Sequence, residues 1–430
     1  MLFGTQTIKE NELHIGGISA SNLVKKHGSP LYVYDEQHMI DMINLFKDNF
    51  KSEVFNTRIA YASKAFLTKS MVRMIDDHNL SIDLVSGGEM YTALSAGFTM
   101  SNSIIHGNNK SIEELTMALK SGVGYIVVDS IYELEVLITL SNELQLPVKT
   151  LLRVNPGIEA HTHEYIITAK LTSKFGESIF DTKRIDSIVE LYQGSSLVEL
   201  SGFHCHIGSQ VFGIEPFTKT VQVMTEFIKG VEDRHSVEIT ALNIGGGFGV
   251  YYTDEDNPER LEVLLQQVIS ETEKVIKDNS LNINELIIEP GRSIVSNAGT
   301  TLYEVGYKKE TFGGKDYLFV NGGMTDNIRP ALYQAKYSAD IATNMNGSKS
   351  GSWTIAGKLC ESGDLLIKDA PLQEFKRSDV LAIYTTGAYN YSMASNYNRI
   401  LKPCVVFVKD GLSKEVVKRE TFEDLIRNDL

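Results

Sequence analysis

The sequence is short of several things, and each shortage narrows what it can be. Cysteine is scarce: Cys205, Cys360 and Cys404 lie far apart and make no CxxC pair. Such usage fits a reducing compartment and leaves no disulfide frame and no zinc knuckle. Positive charge is in deficit, with 41 Lys+Arg against 55 Asp+Glu and a formal net charge of −14. That balance argues against general nucleic-acid binding, while a local basic site for an anionic ligand stays open. No apolar run approaches the length of a membrane span, and the start, "MLFGTQTIKENELHIGG", lacks the basic-then-apolar pattern of a secretory signal. The expectation is a cytoplasmic protein with neither a membrane nor a nucleic acid as partner. Low-complexity segments, charge blocks and internal repeats are also missing. What is present is an ordinary globular composition, 42% hydrophobic and 22% charged over 430 residues, long enough for two domains and a sizeable core.

From Arg58 onward, strand-like runs recur: "RIAYAS", "SIDLVS", "SIIHG", "YIVVDS", "KTLLRVN", "LSGFHCHIG", "ALNIGGG" and "ELIIEPG". Most are apolar and β-branched, as parallel strands covered on both faces should be. Helix-like runs lie between them, among them "LTKSMVRMIDDHN", "SIEELTMALKSG", "IYELEVLITLSNEL" and "EPFTKTVQVMTEFIKGV", with apolar positions three and four apart. The run "PERLEVLLQQVISETEKVIKD" is expected to open with its proline in the first helical turn. Another amphipathic run, "EQHMIDMINLFKDNF", precedes the first strand. The alternation predicts an α/β fold, a (β/α)8 TIM-type barrel over residues 35–290, with an open doubly wound sheet as the rival. After about residue 295 come short strands separated by Gly, Lys and Asp turns, such as "KDYLFVNGG" and "SDVLAIYTTG". Residues 1–34 and 291–430 are therefore expected to form a mainly antiparallel β domain, a β-barrel in outline.

Active sites of such barrels lie at the C-terminal ends of the strands. Strand one ends in Lys64, strand two in Ser86 to Glu89, strand three in His106, and strand five in Arg153 and Asn155. Strand six carries His204 and His206, strand seven Gly245, Gly246 and Gly247, and strand eight Glu289 to Arg292. Taken singly, each has a bland reading: a solvated lysine, a hydrogen-bonded core histidine, a loose glycine turn, a surface carboxylate. Their placement on one rim favours function. Exposed N–H groups at Gly245 to Gly247 suit a phosphate, and glycine lets it approach closely. A phosphate site, an amine able to form an imine and a carboxylate across the rim suggest pyridoxal 5'-phosphate. Lys64 would hold it and Glu289 would keep its ring nitrogen protonated. The competing chemistry is a metal-dependent barrel hydrolase, since HxH pairs occur at His161/His163 and His204/His206. No aspartate on the last strand completes such a cage, and the triple glycine would have no task.

The ordered set "YASKAF", "VSGGE", "HGNNKS", "LRVNPGIEAHTHEYI", "SKFG", "FHCHIGSQ", "NIGGGFG", "EPGR", "RPALY", "CESGD" and "GAYNYSMASNYN" resembles the diaminopimelate decarboxylases. These are barrel-type pyridoxal-phosphate enzymes related to ornithine and arginine decarboxylases. The resemblance runs from about residue 15 to 415. It implies conversion of meso-2,6-diaminopimelate to L-lysine and CO2, the last step of lysine biosynthesis. An ornithine- or lysine-type decarboxylase is the alternative within the same chemistry. By position it implies Lys64 as the cofactor lysine and His206 as the residue stacked on the ring. It likewise implies a cofactor site built from Ser209, Gly245, Gly246, Gly247, Glu289, Pro290, Gly291, Arg292 and Tyr389. Arg292, Arg329, Tyr333 and Tyr389 match the substrate-holding residues. Cys360, as proton donor, and Glu361 resemble a pair supplied by the neighbouring subunit, which implies a homodimer with shared active sites and the β domain at the dimer interface. Two departures stand out: Phe66 replaces a common asparagine, and "TAKLT" at 168–172 replaces a stretch in which a glycine and an acid are common.

Overall fold

The computed structural model describes residues 2–158 and 173–430. The His161/His163 pair and the departure at 168–172 lie outside the described residues. These residues form two compact units, one of Ile43–Gly249 with Pro258–Gly291, the other of Met1–Met42, Val250–Asn257 and Arg292–Leu430.

The first unit is a closed barrel. Its strands are β1 (Asn56–Ala62), β2 (Ser81–Leu84), β3 (Ser103–Ile105), β4 (Tyr125–Val128), β5 (Val148–Asn155), β6 (Val198–His204), β7 (Ala241–Asn243) and β8 (Glu285–Ile288). Each pairs in parallel with the next, and β8 pairs with β1 in the register Glu285↔Asn56 to Ile288↔Ile59, which closes the ring. All eight runs anticipated from the sequence are strands. Ala60, Ile104, Val127, Leu151, Ala241 and Ile287 come from six of these strands yet form one buried cluster, an arrangement reached only through the barrel interior.

Several helices between strands begin on side-chain caps. Thr68 accepts from Met71 N–H at 3.1 Å, and Ser111 with Glu114 makes a reciprocal capping box. One helix not named from the sequence is Gly87–Ala96, which opens on two glycines and is capped by Ser86 accepting from Glu89 N–H at 3.2 Å. One expectation needs correcting. Pro258 does not sit in a first turn: the helix it was assigned to runs Leu261–Asp278, with Arg260 at the cap. No helix among the described residues is long and apolar enough to cross a membrane.

The second unit contains a sheet in which Gly299–Glu310 is central, pairing antiparallel with Leu31–Asp35, Asp316–Val320 and Val380–Ile383. The sheet is mixed and not wholly antiparallel: Cys404–Lys409 runs parallel to Leu31–Asp35, and Lys349–Ala356 runs parallel to Asp316–Val320. A small sheet of Thr7–Lys9, Glu12–Ile15 and Ile18–Ser19 belongs to the same unit. The eight residues Val250–Asn257 follow β7 in the chain but belong to this second unit, where Asn297 Nδ2 donates to Tyr251 O at 2.7 Å.

Candidate active site

The barrel gathers one group of residues at the C-terminal ends of its strands. β1 ends in a single 3-10 turn, Ser63–Ala65, in which Ser63 and Ala65 are buried and Lys64 is exposed. Glu89 fixes this turn from the start of the helix that follows β2: its Oε2 accepts from Ser63 Oγ and from Val85 N–H, each at 2.7 Å. Phe66 is fully buried, and its carbonyl accepts from Tyr61 Oη at 2.7 Å, so the departure at this position fills core behind the lysine turn. Among the described residues nothing hydrogen-bonds or ion-pairs with the Lys64 amine.

Glu289 lies just past β8 and is buried. Its Oε1 accepts from Asn243 Nδ2 at 2.7 Å and lies 2.8 Å from His106 Nε2, while Oε2 lies 3.2 Å from His204 Nε2. Burial alone would raise the carboxyl's pKa. His106 and then His204 outweigh it and hold Glu289 well below the usual carboxylate range. Burial pushes His204 down to about 4 against the pull of Glu289, so at neutral pH it is an uncharged imidazole serving an anion. The two imidazoles meet edge to face, with centroids 4.8 Å apart. Pro290 and Gly291 bring this network to the lysine turn: Ala62 N–H donates to Pro290 O at 3.0 Å, and a Cβ on Gly291 would lie 2.9 Å from Ala62 Cβ.

The glycine run behaves differently from the expectation of three exposed donors. Gly245 N–H donates to Asn243 Oδ1 at 2.8 Å and Gly246 N–H to His206 Nδ1 at 3.2 Å, so two of the three are spent inside the protein. Only Gly247 N–H keeps no acceptor among the described residues. A Cβ on Gly246 would lie 2.1 Å from Glu289 O, and Gly245 and Gly247 have φ of +71° and +108°. Glycine is needed here for close strand packing as well as for ligand approach. The bond from Gly246 makes Nδ1 of His206 an acceptor, and burial, then Lys64, keep that ring's pKa well below its ordinary value. The two histidines of the His204/His206 pair therefore serve different partners, and no metal cage spans them among the described residues. Ser209 is half-buried in the same segment after β6. Arg153 stays at the strand end, 3.9 Å from Asp129 and 4.4 Å from the Phe175 ring centroid, while Asn155 Oδ1 accepts from Gly157 N–H at 2.9 Å.

The second unit gathers another group. Arg292 and Arg329 are both buried. Tyr389 carries both guanidinium groups near its ring, at 4.9 Å for Arg292 and 5.3 Å for Arg329, and Tyr333 lies 5.5 Å from Arg329. Arg329 Nε donates to Tyr337 Oη at 3.0 Å, and among the described residues no carboxylate lies within salt-bridge range of it. Cys360 and Glu361 sit apart on an exposed turn. Asp364 closes that turn by accepting from Leu359 N–H at 2.9 Å and Met324 N–H at 2.6 Å.

A family model, pyridoxal-dependent decarboxylase, pyridoxal binding domain, matches residues 37–296. The diaminopimelate decarboxylase of Bacillus subtilis (strain 168) is 46% identical over 427 residues, covering 99% of this chain and 97% of that protein. The chain belongs to the diaminopimelate decarboxylase family. The family member from Staphylococcus aureus (strain COL) is 45% identical, with 98% of this chain and 99% of that one covered. Among solved structures, the M. jannaschii diaminopimelate decarboxylase in co-complex with L-lysine matches with a TM-score of 0.93 at 32% identity, over 100% of this chain and 99% of that one.

The family's cofactor is pyridoxal phosphate, and the barrel residues fit it. Among the described residues the exposed Lys64 amine has no hydrogen-bond partner and Gly247 N–H no acceptor, and Glu289 is a buried anion that accepts from Asn243, with His204 Nε2 at 3.2 Å and His106 Nε2 at 2.8 Å. Asn243 was missed in the sequence, although a polar residue closing the apolar run "ALN" was the available signal. His106 and His204 were noted at their strand ends without a partner, because Glu289 lies 183 and 85 residues further on.

Proposed function

We propose that this protein decarboxylates meso-2,6-diaminopimelate to L-lysine and CO2, the last step of lysine biosynthesis. Family membership over nearly the whole chain supports the reading, and the observation that carries it is Lys64 and a buried anionic Glu289 at the C-terminal ends of adjacent barrel strands. When bound, pyridoxal phosphate supplies a sink for the electron pair released as the Cα–carboxylate bond breaks. Lys64 holds it covalently. Glu289 would keep its ring nitrogen protonated, and Asn243, His204 and the nearby His106 imidazole hold Glu289 ionised and aimed. His206 would cover the ring face, and Ser209, Gly245 to Gly247, Pro290, Gly291, Arg292 and Tyr389 would hold the cofactor. Of the glycine donors, Gly247 N–H is the one available to the phosphate.

Substrate choice rests on the second head group of diaminopimelate, which has both an ammonium and a carboxylate. A buried guanidinium is costly without an anion, and among the described residues Arg329 pairs with the Tyr337 phenol and aromatic rings and with no carboxylate. A substrate carboxylate would supply the missing partner, and a guanidinium can meet it with two parallel hydrogen bonds. Tyr333 and Tyr389 flank it.

Cys360 returns a proton to the carbon that loses CO2, and Glu361 receives the distal ammonium. Their exposed turn favours delivery to a second copy of the chain, giving a homodimer with shared sites. Residues 35–290 then bind the cofactor, and 1–34 with 291–430, as a β-barrel domain, serve substrate and dimer interface. A cytoplasmic location agrees with the cysteine usage. Borohydride treatment of the yellow holoprotein tests the cofactor assignment: the label should be fixed on the Lys64 peptide, and Lys64→Ala should lose the label and several orders of magnitude of turnover. A label on another lysine refutes it.

A further inference from the structure

We infer that Asp364 is a positioning residue for the reaction, which holds the turn bearing Cys360 and Glu361 in the form that the neighbouring subunit's site receives. This rests on the proposed delivery of that turn to a second copy of the chain. Cys360 to Gly363 are exposed, whereas Asp364 at their end is buried. Among the described residues no cation lies within salt-bridge range of its carboxylate. Both oxygens are turned onto backbone instead: Oδ2 accepts from Leu359 N–H at 2.9 Å, just before Cys360, and Oδ1 from Met324 N–H at 2.6 Å in a separate loop. Asp364 N–H returns to Glu361 O at 3.1 Å, so one residue closes the turn from both ends. Glycines on two sides leave the carboxylate its space. A Cβ on Gly323 would lie 2.5 Å from Oδ1, and one on Gly357 would come closer still to Oδ2. Burying a carboxylate without a counter-ion is costly, and what this one secures is the backbone shape of an exposed turn.

Met324 lies in the loop that leads into the helix Arg329–Tyr333, so Asp364 touches two parts of the proposed site machinery. Their dependence on it is unequal. The loop has supports of its own: Gly323 N–H donates to Asp326 Oδ2 at 3.0 Å, Tyr32 Oη donates to Asp326 O, and Ser395 N–H donates to Thr325 O at 3.1 Å. Arg329 N–H is held in addition by Asn327 Oδ1 at 3.3 Å. Other anchors of the turn include Lys358 N–H to Gly322 O at 3.0 Å, Cys360 N–H to Asn398 Oδ1 at 2.9 Å and Gly363 N–H to Glu361 Oε1 at 3.1 Å. The last of these engages the carboxylate that is to receive the distal ammonium, so substrate binding competes with it. Loss of the Asp364 carboxylate therefore loosens Cys360 and Glu361 more than it loosens Arg329.

An asparagine at this position keeps the shape but turns an NH2 group onto a backbone N–H, because both carboxylate oxygens face donors. The test uses the Asp364→Asn holoenzyme, with its thermal melt and cofactor spectrum recorded and CO2 release from meso-diaminopimelate measured. Asp364→Ser is run beside it and judged by the same criteria, in case asparagine prevents folding. The variant's kcat should fall by about 10- to 100-fold, the range for a hydrogen bond to a charged group, with the cofactor spectrum unchanged. A damaged fold would also lower kcat, so subunit exchange decides. Mixed with Lys64→Ala, Asp364→Asn should regain about a quarter of wild-type activity, because half the dimers then combine a sound Lys64 in one chain with a sound turn from the other. Lys64→Ala mixed with Cys360→Ala is the control. If the control recovers and the Asp364→Asn mixture does not, Asp364 acts within its own chain and the inference is overturned. Full kcat in Asp364→Asn overturns it as well. If the control itself regains nothing after confirmed exchange, the shared-site reading fails and the inference falls with it.

Discussion

Replacing Glu289 with glutamine removes one negative charge and leaves the side-chain shape almost unchanged. The wild-type carboxylate is held by Asn243 at 2.7 Å, His106 at 2.8 Å and His204 at 3.2 Å, and it sits buried where charge is poorly screened. A glutamine keeps one acceptor oxygen and turns a donor toward an imidazole, and a neutral imidazole can change tautomer to accept it. Folding should therefore survive. On the proposed role, what is lost is the charge that would keep the cofactor's ring nitrogen protonated. A charge-assisted hydrogen bond contributes about 1.5–3 kcal/mol, so decarboxylation should slow by roughly ten- to a hundredfold or more. The assay is CO2 release at saturating meso-diaminopimelate, with cofactor affinity followed in the visible spectrum and expected to change far less. Full turnover by Glu289→Gln would refute the electron-sink assignment, and an unfolded variant would show that the tautomer argument is wrong.

Two further outcomes follow from other parts of the structure. Lys110 places its three ammonium donors on Gly107 O at 2.8 Å, Val127 O at 2.6 Å and Glu133 at 2.6 Å, with both charged side chains buried. Lys110→Ala should cost about 3–5 kcal/mol in denaturant unfolding because it strands Glu133, and a loss below about 1 kcal/mol would contradict the pairing. Mixing inactive Lys64→Ala with inactive Cys360→Ala protein and allowing subunit exchange should restore roughly a quarter of wild-type activity, since half the dimers then contain one intact site. No recovery after confirmed exchange would mean that each chain builds its site alone.

The barrel was readable because its strands are short β-branched runs that stop at glycine or polar residues, and because a buried parallel sheet requires that pattern. Lys64 and Glu289 stood out for the same reason, each being polar at the end of an apolar strand. The helix Gly87–Ala96 was hidden by Gly87 and Gly88, whose weak helix propensity is overridden by the Ser86 cap and by Glu89 reaching Ser63. Donor availability at the glycines was not legible either. Whether a backbone N–H is free depends on Asn243 and on His206, 40 residues away from Gly246, and pattern does not report such partners. The segment Val250–Asn257 gave no signal at all: "VYYTDEDN" reads as a polar loop after β7, and its membership of the other unit is a tertiary fact. The mixed sheet has a similar cause, since short alternating strands do not declare whether their neighbour runs parallel, as Cys404–Lys409 does beside Leu31–Asp35.

The central claim is that this chain decarboxylates an amino acid whose far end has its own carboxylate. The most direct measurement is CO2 release by the purified holoprotein from meso-diaminopimelate, L-ornithine, L-lysine and L-arginine under identical conditions. The account predicts that kcat/KM for meso-diaminopimelate exceeds each of the others by at least about a hundredfold, and that Arg329→Leu erases most of that margin. Equal or faster turnover of ornithine or lysine by the unmodified protein would contradict it.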